Sequence, residues 1–216
     1  MGEQTRATLM ETETRESPAV AARLVTKATA RLRELGEQLR VLSPRYALAA
    51  GRGSSDAAAL LAKYLFEARL GLPTVSAAPS IRSIYGRQLN IEKALVLAIS
   101  QSGRSPDLVE FCRSATGTDV LRVGMINDET SPLAEIMDAF LPLEAGPEKS
   151  VAATKSCIAA MTLVFGLVAH WRNDPVMIAA FERTPDVLTG GLGEDWAAAE
   201  AFLAGDGPIY VIGRGP

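Results

Sequence analysis

The feature of this 216-residue sequence that most limits its fold is an apolar run, Ala94–Ser100, that leads directly into a hydroxyl-rich loop. The run is too short for a buried helix and is closed by turn residues, so it predicts a buried strand. The Ser-Pro-Asp at 105–107 is typical of a helix start, with serine as N-cap and proline in the first turn. A strand that passes through such a loop into a helix N-terminus offers N–H groups and hydroxyls to an anion, and phosphate is the obvious one.

Apolar runs of strand length alternate with helical patterns along most of the chain. The alternation predicts an α/β fold: a three-layer, doubly wound, five-stranded parallel sheet of the flavodoxin-like type, with strand order 2-1-3-4-5. The predicted strands are 46–50, 74–77, 94–100, 120–126 and 139–143. The predicted helices are 18–42, 57–70, 108–115, 133–137, 151–171, 175–188 and 193–203, with one turn more within 79–90.

The pattern divides the chain into four parts. Residues 1–17 are polar and predict a flexible arm, 18–173 form the main domain, and 174–207 form a helical connection. The last part, 208–216, repeats an earlier pattern, because an apolar strand followed by Gly-Arg-Gly occurs both at 48–53 and at 210–215. Such self-similarity indicates a duplicated domain, so 208–216 is expected to be the first strand of a second copy that is truncated here.

Composition excludes several classes of function. With 48% apolar and 22% charged residues, the composition is typical of a globular protein. The net charge of −3 gives no electrostatic reason to expect binding to nucleic acid or to an anionic membrane. It contains no apolar run of membrane-spanning length and no signal-peptide pattern. The two cysteines, Cys112 and Cys157, predict packed thiols rather than a disulfide framework, which favours the cytoplasm.

Two hydroxyl-rich loops are predicted to meet in the ligand crevice of this sheet. In a 2-1-3-4-5 sheet the crevice lies beyond the carboxyl ends of strands 1 and 3. The loop Gly-Arg-Gly-Ser-Ser-Asp, 51–56, follows strand 1, and the loop Ser-Gln-Ser-Gly-Arg-Ser, 100–105, follows strand 3. A phosphate site is therefore predicted between them. The alternative is that these serines only cap the helices that follow.

Three short motifs carry a resemblance to a known family: Gly53-Ser-Ser55, Ser100-Gln-Ser-Gly103 and Val151-Ala-Ala-Thr-Lys155. Together they resemble the SIS (sugar isomerase) domain family, found in glucosamine-6-phosphate synthase and the related amino-sugar-phosphate deaminases. The resemblance covers nearly everything from Pro18 onward. It departs from the synthase pattern at Ser105, where threonine is usual, and at Arg52, where a small residue is usual.

The resemblance implies a role for each matching residue. Four residues of the second loop would bind the sugar phosphate, two of the first loop would contact the phosphate or nearby hydroxyls, and two backbone positions would line the sugar. These are Ser100, Gln101, Ser102 and Ser105; Ser54 and Ser55; and Val151 and Ala152. Arg104 is predicted at the rim, as a phosphate partner or a surface charge, and Lys155 either reaches the crevice or is solvated.

The implied ligand is a hexose 6-phosphate or an amino-sugar phosphate. The implied chemistry is ring opening followed by proton transfer between C1 and C2 by a carboxylate base, without a metal or organic cofactor. Separately, the long apolar helices and the unfinished second domain predict either a homodimer or a heavily exposed edge. No cysteine precedes Cys112, so the N-terminal cysteine nucleophile of the synthase's glutamine-hydrolysing domain has no counterpart. In the family the acid–base carboxylate, a histidine and a lysine belong to the second domain and tail. This chain alone is therefore expected to lack the catalytic residues.

Other readings stay open or are disfavoured. The residues 51–56 nearly match a dinucleotide fingerprint, but Asp56 replaces its third glycine and no acidic residue ends the second strand. The only histidine, His170, lies in an apolar helical pattern and is predicted to be a core residue, and no Gly-x-Ser-x-Gly elbow is present. A non-catalytic phosphosugar sensor is the main alternative, and a structural or dimerisation module is the third.

Overall fold

The computed structural model describes residues 7–205, 207–210, 212 and 213, and its centre is a five-stranded sheet. All four strand pairings are parallel, and the strand order is β2-β1-β3-β4-β5, as predicted. Each strand matches its predicted position to within one residue at either end. The strands are β1 (Tyr46–Ala50), β2 (Thr74–Ser76), β3 (Ala94–Ser100), β4 (Val120–Ile126) and β5 (Ala139–Pro142).

Helices cover both faces of the sheet, which confirms the three-layer, doubly wound α/β fold. They are α1 (Leu9–Arg15), α2 (Ser17–Leu42), α3 (Ser54–Leu65), α4 (Ser80–Ser83), α5 (Pro106–Ser114), α6 (Pro132–Glu135), α7 (Lys155–Arg172), α8 (Pro175–Glu182), α9 (Thr184–Leu192) and α10 (Ala197–Leu203). One apolar core joins the sheet to α2, α3 and α7, and a second joins its other face to α5 and α6. All seven residues of β3 are buried, because β3 lies between β1 and β4 with helices on both sides.

The N-terminal segment differs from the predicted flexible arm. Residues 9–15 form α1, whose first turn is capped by the Thr8 hydroxyl oxygen accepting from the Glu11 N–H at 3.1 Å. Glu11 and Arg15 form an ion pair one turn apart. Because the side chain of Glu13 is buried against a distant loop, the helix is held by tertiary contacts that a polar sequence does not reveal. Residues 1–6 lie outside the described part of the chain.

Several predicted helix boundaries were wrong. Helix α3 starts at Ser54, three residues early, and continues as a π-helical turn over Phe66–Leu70. Helix α7 starts at Lys155 rather than at residue 151, because Glu148 folds back to accept the first free N–H groups of the helix. The predicted helix 175–188 is two helices, α8 and α9, with Pro185 in the first turn of the second.

The predicted C-terminal strand is not formed in the part of it that is described. Residues 208–210, 212 and 213 have irregular backbone, and the side chains of Ile209, Tyr210 and Ile212 are exposed. A strand needs a neighbouring strand to satisfy its backbone groups, and none lies beside this segment within the described residues. Val211 and residues 214–216 fall outside that description. No helix in the described ranges has the length and apolar character to cross a membrane.

His170 makes stability depend on pH. It lies near the C-terminal end of α7, is buried and packs edge-on against Phe181 with ring centroids 6.1 Å apart. Burial, and secondarily Arg33, lowers its pKa from the usual 6.5, against an opposing effect of Glu182. As pH falls, the unfolded chain therefore takes up this proton before the folded chain does, so the free energy of unfolding should decrease as pH drops below about 7.

The measurement is urea unfolding at pH 7.5 and 5.5 for the parent and for His170→Leu. Because His170 is the only histidine, the decrease should be smaller in the variant. An equal decrease in both proteins would show that other groups cause it.

Candidate anion-binding site

The sheet brings the two hydroxyl-rich loops to the same edge. Ala50 near the end of β1 lies opposite Ala98 of β3, so the loops that follow these strands start side by side. An ion pair joins them: the Arg52 guanidinium, after β1, donates to the Asp107 carboxylate in the first turn of α5. The predicted crevice between strands 1 and 3 therefore has both serine loops at its rim.

The first loop makes a tight turn from β1 into α3. A side chain at Gly51 would place its Cβ 2.5 Å from the carbonyl oxygen of Ser55, so only glycine allows the strand end to lie this close to the helix. Ser54 and Ser55, in the first turn of α3, are half-buried. Among the described residues, no side chain caps this helix, which leaves both hydroxyls without a capping role.

The side chain of Ser100 stabilises the second loop, 100–105. This serine is buried, and its hydroxyl oxygen accepts from the Gly103 N–H at 2.9 Å. Gly103 has a φ of +63°, and a Cβ there would lie 2.0 Å from the hydroxyl oxygen of Ser131. Ser100, predicted as a ligand residue, thus shapes the loop, and its hydroxyl hydrogen stays available for a ligand.

The remaining residues of the second loop are open to a ligand. Gln101, Ser102 and Ser105 are half-buried, and the Ser102 hydroxyl accepts only a long bond, 3.3 Å, from the Arg104 N–H. Ser105 takes the N-cap position of α5, but its hydroxyl makes no capping bond within the described structure. The predicted N-cap position of Ser105 is therefore confirmed, but its hydroxyl is not used for capping within the described residues. The alternative that these serines serve only as caps also fails for Ser54 and Ser55.

A third loop approaches the first from the start of α7. The Cys157 thiol, in the first turn of α7, donates to the Ser54 carbonyl oxygen at 3.3 Å, which places the two helix starts together. Val151 and Ala152 lie just before α7 and are exposed. In the described part of the chain their N–H groups have no acceptor. The Cys157 pKa is raised, first by burial and then by the nearby Glu148 charge, which leaves a neutral thiol.

The cationic side chains near the loops are already paired. Arg104 contacts Asp128 at 2.8 Å, and the pKa of Asp128 is lowered by bonds from Thr130 and then from Arg104. Neither role predicted for Lys155 is observed: it is 3% exposed, and its ammonium donates to Glu16. An anion here would therefore be held by hydroxyls and backbone N–H groups more than by a free cation.

Sequence reasoning missed the residues that hold these loops in place. Asp107 was predicted only as part of a helix start, and Glu13 and Glu16 were assigned to a flexible arm. These partners lie 55 to 139 residues away in the chain, so no local pattern could have identified them.

Two of the cavities in the molecule lie away from the serine loops. One of about 430 Å³ is lined by residues of α2 and β5, and one of about 520 Å³ by residues of α1, α9 and α10. These two cavities do not mark the candidate site. The candidate site is identified instead by the order of the strands and by the serine hydroxyls that make no capping bond in the described structure.

Together these features define a doubly wound α/β domain with two hydroxyl-rich loops, a candidate anion site, at its strand ends. The family model of the SIS domain matches residues 43–169, and the chain belongs to the SIS domain family.

Known proteins of related sequence and structure agree with this membership. The chain is 33% identical over 166 residues to the isomerizing glutamine–fructose-6-phosphate aminotransferase of Methanothermobacter thermautotrophicus, covering 76% of this chain but 28% of that protein. A candidate phosphosugar isomerase from Silicibacter pomeroyi DSS-3 superimposes with a TM-score of 0.86 at 35% identity, over 90% of this chain and 60% of that one.

The fold is shared with a more distant structure as well. The C-terminal domain of glucosamine-fructose-6-phosphate aminotransferase from Francisella tularensis gives a TM-score of 0.70 at 21% identity, over 89% of this chain and 57% of that one. The chain thus spans less than two thirds of each of these relatives.

Proposed function

We propose that the chain binds a hexose 6-phosphate or an amino-sugar phosphate in the crevice between β1 and β3. The phosphate would lie on the hydroxyls of Ser54, Ser55, Ser102 and Ser105 and on the helix starts of α3 and α5. The observation that carries this proposal is that these serines lie on two loops that leave the same sheet edge, and that their hydroxyls make no helix-capping bond within the described structure. The sugar would lie toward the exposed backbone of Val151 and Ala152.

We further propose that the chain is the phosphosugar-binding part of an amino-sugar-phosphate isomerase or deaminase acting between C1 and C2. The relatives of similar sequence support this reaction class. Remote binding energy from the phosphate would orient the reacting carbons. Exposed apolar side chains on α8–α10, such as Val176, Val187 and Phe202, support a covered surface in the working protein and fit the expected homodimer.

A non-catalytic sensor is the second candidate for this chain alone, because three carboxylates near the site are already engaged. Asp107 and Asp128 are engaged by arginines, and Glu148 caps α7, so each of these nearby carboxylates already has a partner. A general base needs a carboxylate free to take a proton. We therefore expect the 216-residue chain to show negligible turnover of glucosamine 6-phosphate, while a form extended through a second domain is active. Efficient turnover by the short chain would contradict this.

Ligand binding is tested by thermal unfolding with fructose 6-phosphate, glucosamine 6-phosphate, fructose and inorganic phosphate. A ligand at 100 times its dissociation constant adds about 2.7 kcal/mol to stability, which is a clear rise in Tm. The two phosphosugars should raise Tm most and fructose least. If no phosphorylated compound changes the Tm, the proposed function is rejected and a structural module is favoured.

A further inference from the structure

Glu13 is a buried carboxylate whose partners all lie on one distant loop. Its side chain is 6% exposed, although it belongs to a short N-terminal helix. One carboxylate oxygen accepts from the Lys149 N–H at 2.6 Å and the other from the Ser150 N–H at 3.0 Å. Bonds from Ser150 and Lys149 lower the pKa of Glu13, so it is charged at neutral pH. Charge-assisted bonds of this kind fix geometry well.

The same loop is held at its other end by Glu148. This carboxylate accepts from the N–H groups of Thr154, at 2.9 Å, and Ser156, at 3.2 Å, and from the Ser156 hydroxyl. Between the two fixed ends, Val151 is fully exposed and Ala152 is exposed. The loop is therefore anchored at both ends while its apex presents unused N–H groups.

A second contact joins α1 to the same segment. Lys155, directly after the loop, is 3% exposed and pairs with Glu16, which lies between α1 and α2. Glu16 follows Glu13 by three residues, so one short stretch of chain holds both Lys155 and the near end of the loop. Removing Glu16 would leave the buried Lys155 ammonium without its partner, so this pair specifies where α1 docks.

We propose that Glu13 is a positioning residue for the sugar part of the ligand. Its carboxylate orders the loop 149–154 so that the backbone of Val151 and Ala152 meets the sugar hydroxyls, and the Glu16–Lys155 pair keeps α1 in place. The inference rests on the proposed function, since it assigns this loop to the sugar. Glu13 acts on the sugar side of the ligand, because its hydrogen bonds reach Lys149 and Ser150 and neither serine loop.

The test compares two ligands on Glu13→Gln. An amide oxygen can replace one acceptor, but the amide NH₂ faces the second backbone N–H and cannot accept from it. We expect the dissociation constant for fructose 6-phosphate to rise about tenfold, and that for inorganic phosphate to change less than about twofold. Hydrogen exchange at the amides of residues 149–154 should become faster. Glu11→Gln, on the exposed side of the same helix, is the matched control and should change none of these.

Each outcome of the binding comparison either supports or overturns the proposal. Unchanged fructose 6-phosphate binding, or equal weakening for both ligands, would overturn it, the second result indicating a general structural role. Where Glu13→Gln does not fold, Glu13→Asp keeps the charge but is one methylene too short to reach both amides, and it should show the same selective loss.

Failure of the proposed function gives a different pattern. In that case the parent protein itself does not bind fructose 6-phosphate. Hydrogen exchange at 149–154 then still reports whether Glu13 orders the loop, and unchanged exchange in the variants would overturn that step as well.

Discussion

Gly103→Ala should destabilise the protein by about 3 kcal/mol, the largest effect expected from a single methyl group in the site. Gly103 has a φ of +63°, which costs an L-residue energy, and the new Cβ would lie 2.0 Å from the Ser131 hydroxyl oxygen. Ser131 is fully buried and caps α6, so it has little room to move. The Gly103 carbonyl oxygen also accepts from the Leu133 N–H at 3.2 Å, and that bond would be strained.

Urea unfolding of Gly103→Ala and Gly71→Ala measures the effect. Gly71 has nearly the same φ, +64°, but a Cβ there meets nothing within 4 Å. Gly71→Ala should therefore cost only about 1 kcal/mol, the conformational part of the penalty. The difference between the two losses of unfolding free energy measures the steric clash of the new Cβ with Ser131. Equal losses of unfolding free energy in the two variants would show that Ser131 and α6 move aside without an energetic penalty.

Ser102→Ala should weaken phosphosugar binding by about 10- to 150-fold, or roughly 1.5–3 kcal/mol. This is the range for losing a hydrogen bond to a charged group. The Ser102 hydroxyl has only a 3.3 Å bond from the Arg104 N–H, so its removal should leave the fold nearly unchanged. Unlike Glu13→Gln, the variant should lose affinity for fructose 6-phosphate and inorganic phosphate together.

Calorimetric titration of Ser102→Ala with both ligands checks this expectation. Ser114→Ala is the control, because the Ser114 hydroxyl bonds to its own helix, α5, in the last turn of that helix. An affinity equal to that of the parent would remove Ser102 from the site. A loss for the sugar phosphate alone would place Ser102 on the sugar instead.

Much of the fold was predictable because its core residues follow short, local sequence patterns. The run Ala94–Ser100 is apolar at every position, which suits only a strand covered on both faces, and the structure places it in the middle of the sheet. Helix α2 buries Leu24, Leu32 and Leu39, which recur at helical spacing. Alternation of such elements then restricts the sheet to a parallel, doubly wound order.

The site was only partly predictable. The sequence placed Ser54 and Ser102 at one crevice, because parallel strands end at the same edge of a sheet. It could not tell capping hydroxyls from free ones, since Ser105 has the identity and the neighbours of a capping residue and yet makes no capping bond. Capping depends on a few tenths of an ångström in side-chain placement, which neighbouring loops decide.

What the sequence alone determined is the order of strands, the layers of helices and the edge where the serines collect. Each follows from hydrophobic period and from turn residues, which act over a few residues of chain. Only the tertiary structure decided that Lys155 pairs with Glu16 and that Glu13 holds the loop at Lys149 and Ser150. Those contacts join residues more than 130 positions apart, and a buried charge finds its partner only after the core has brought the two segments together.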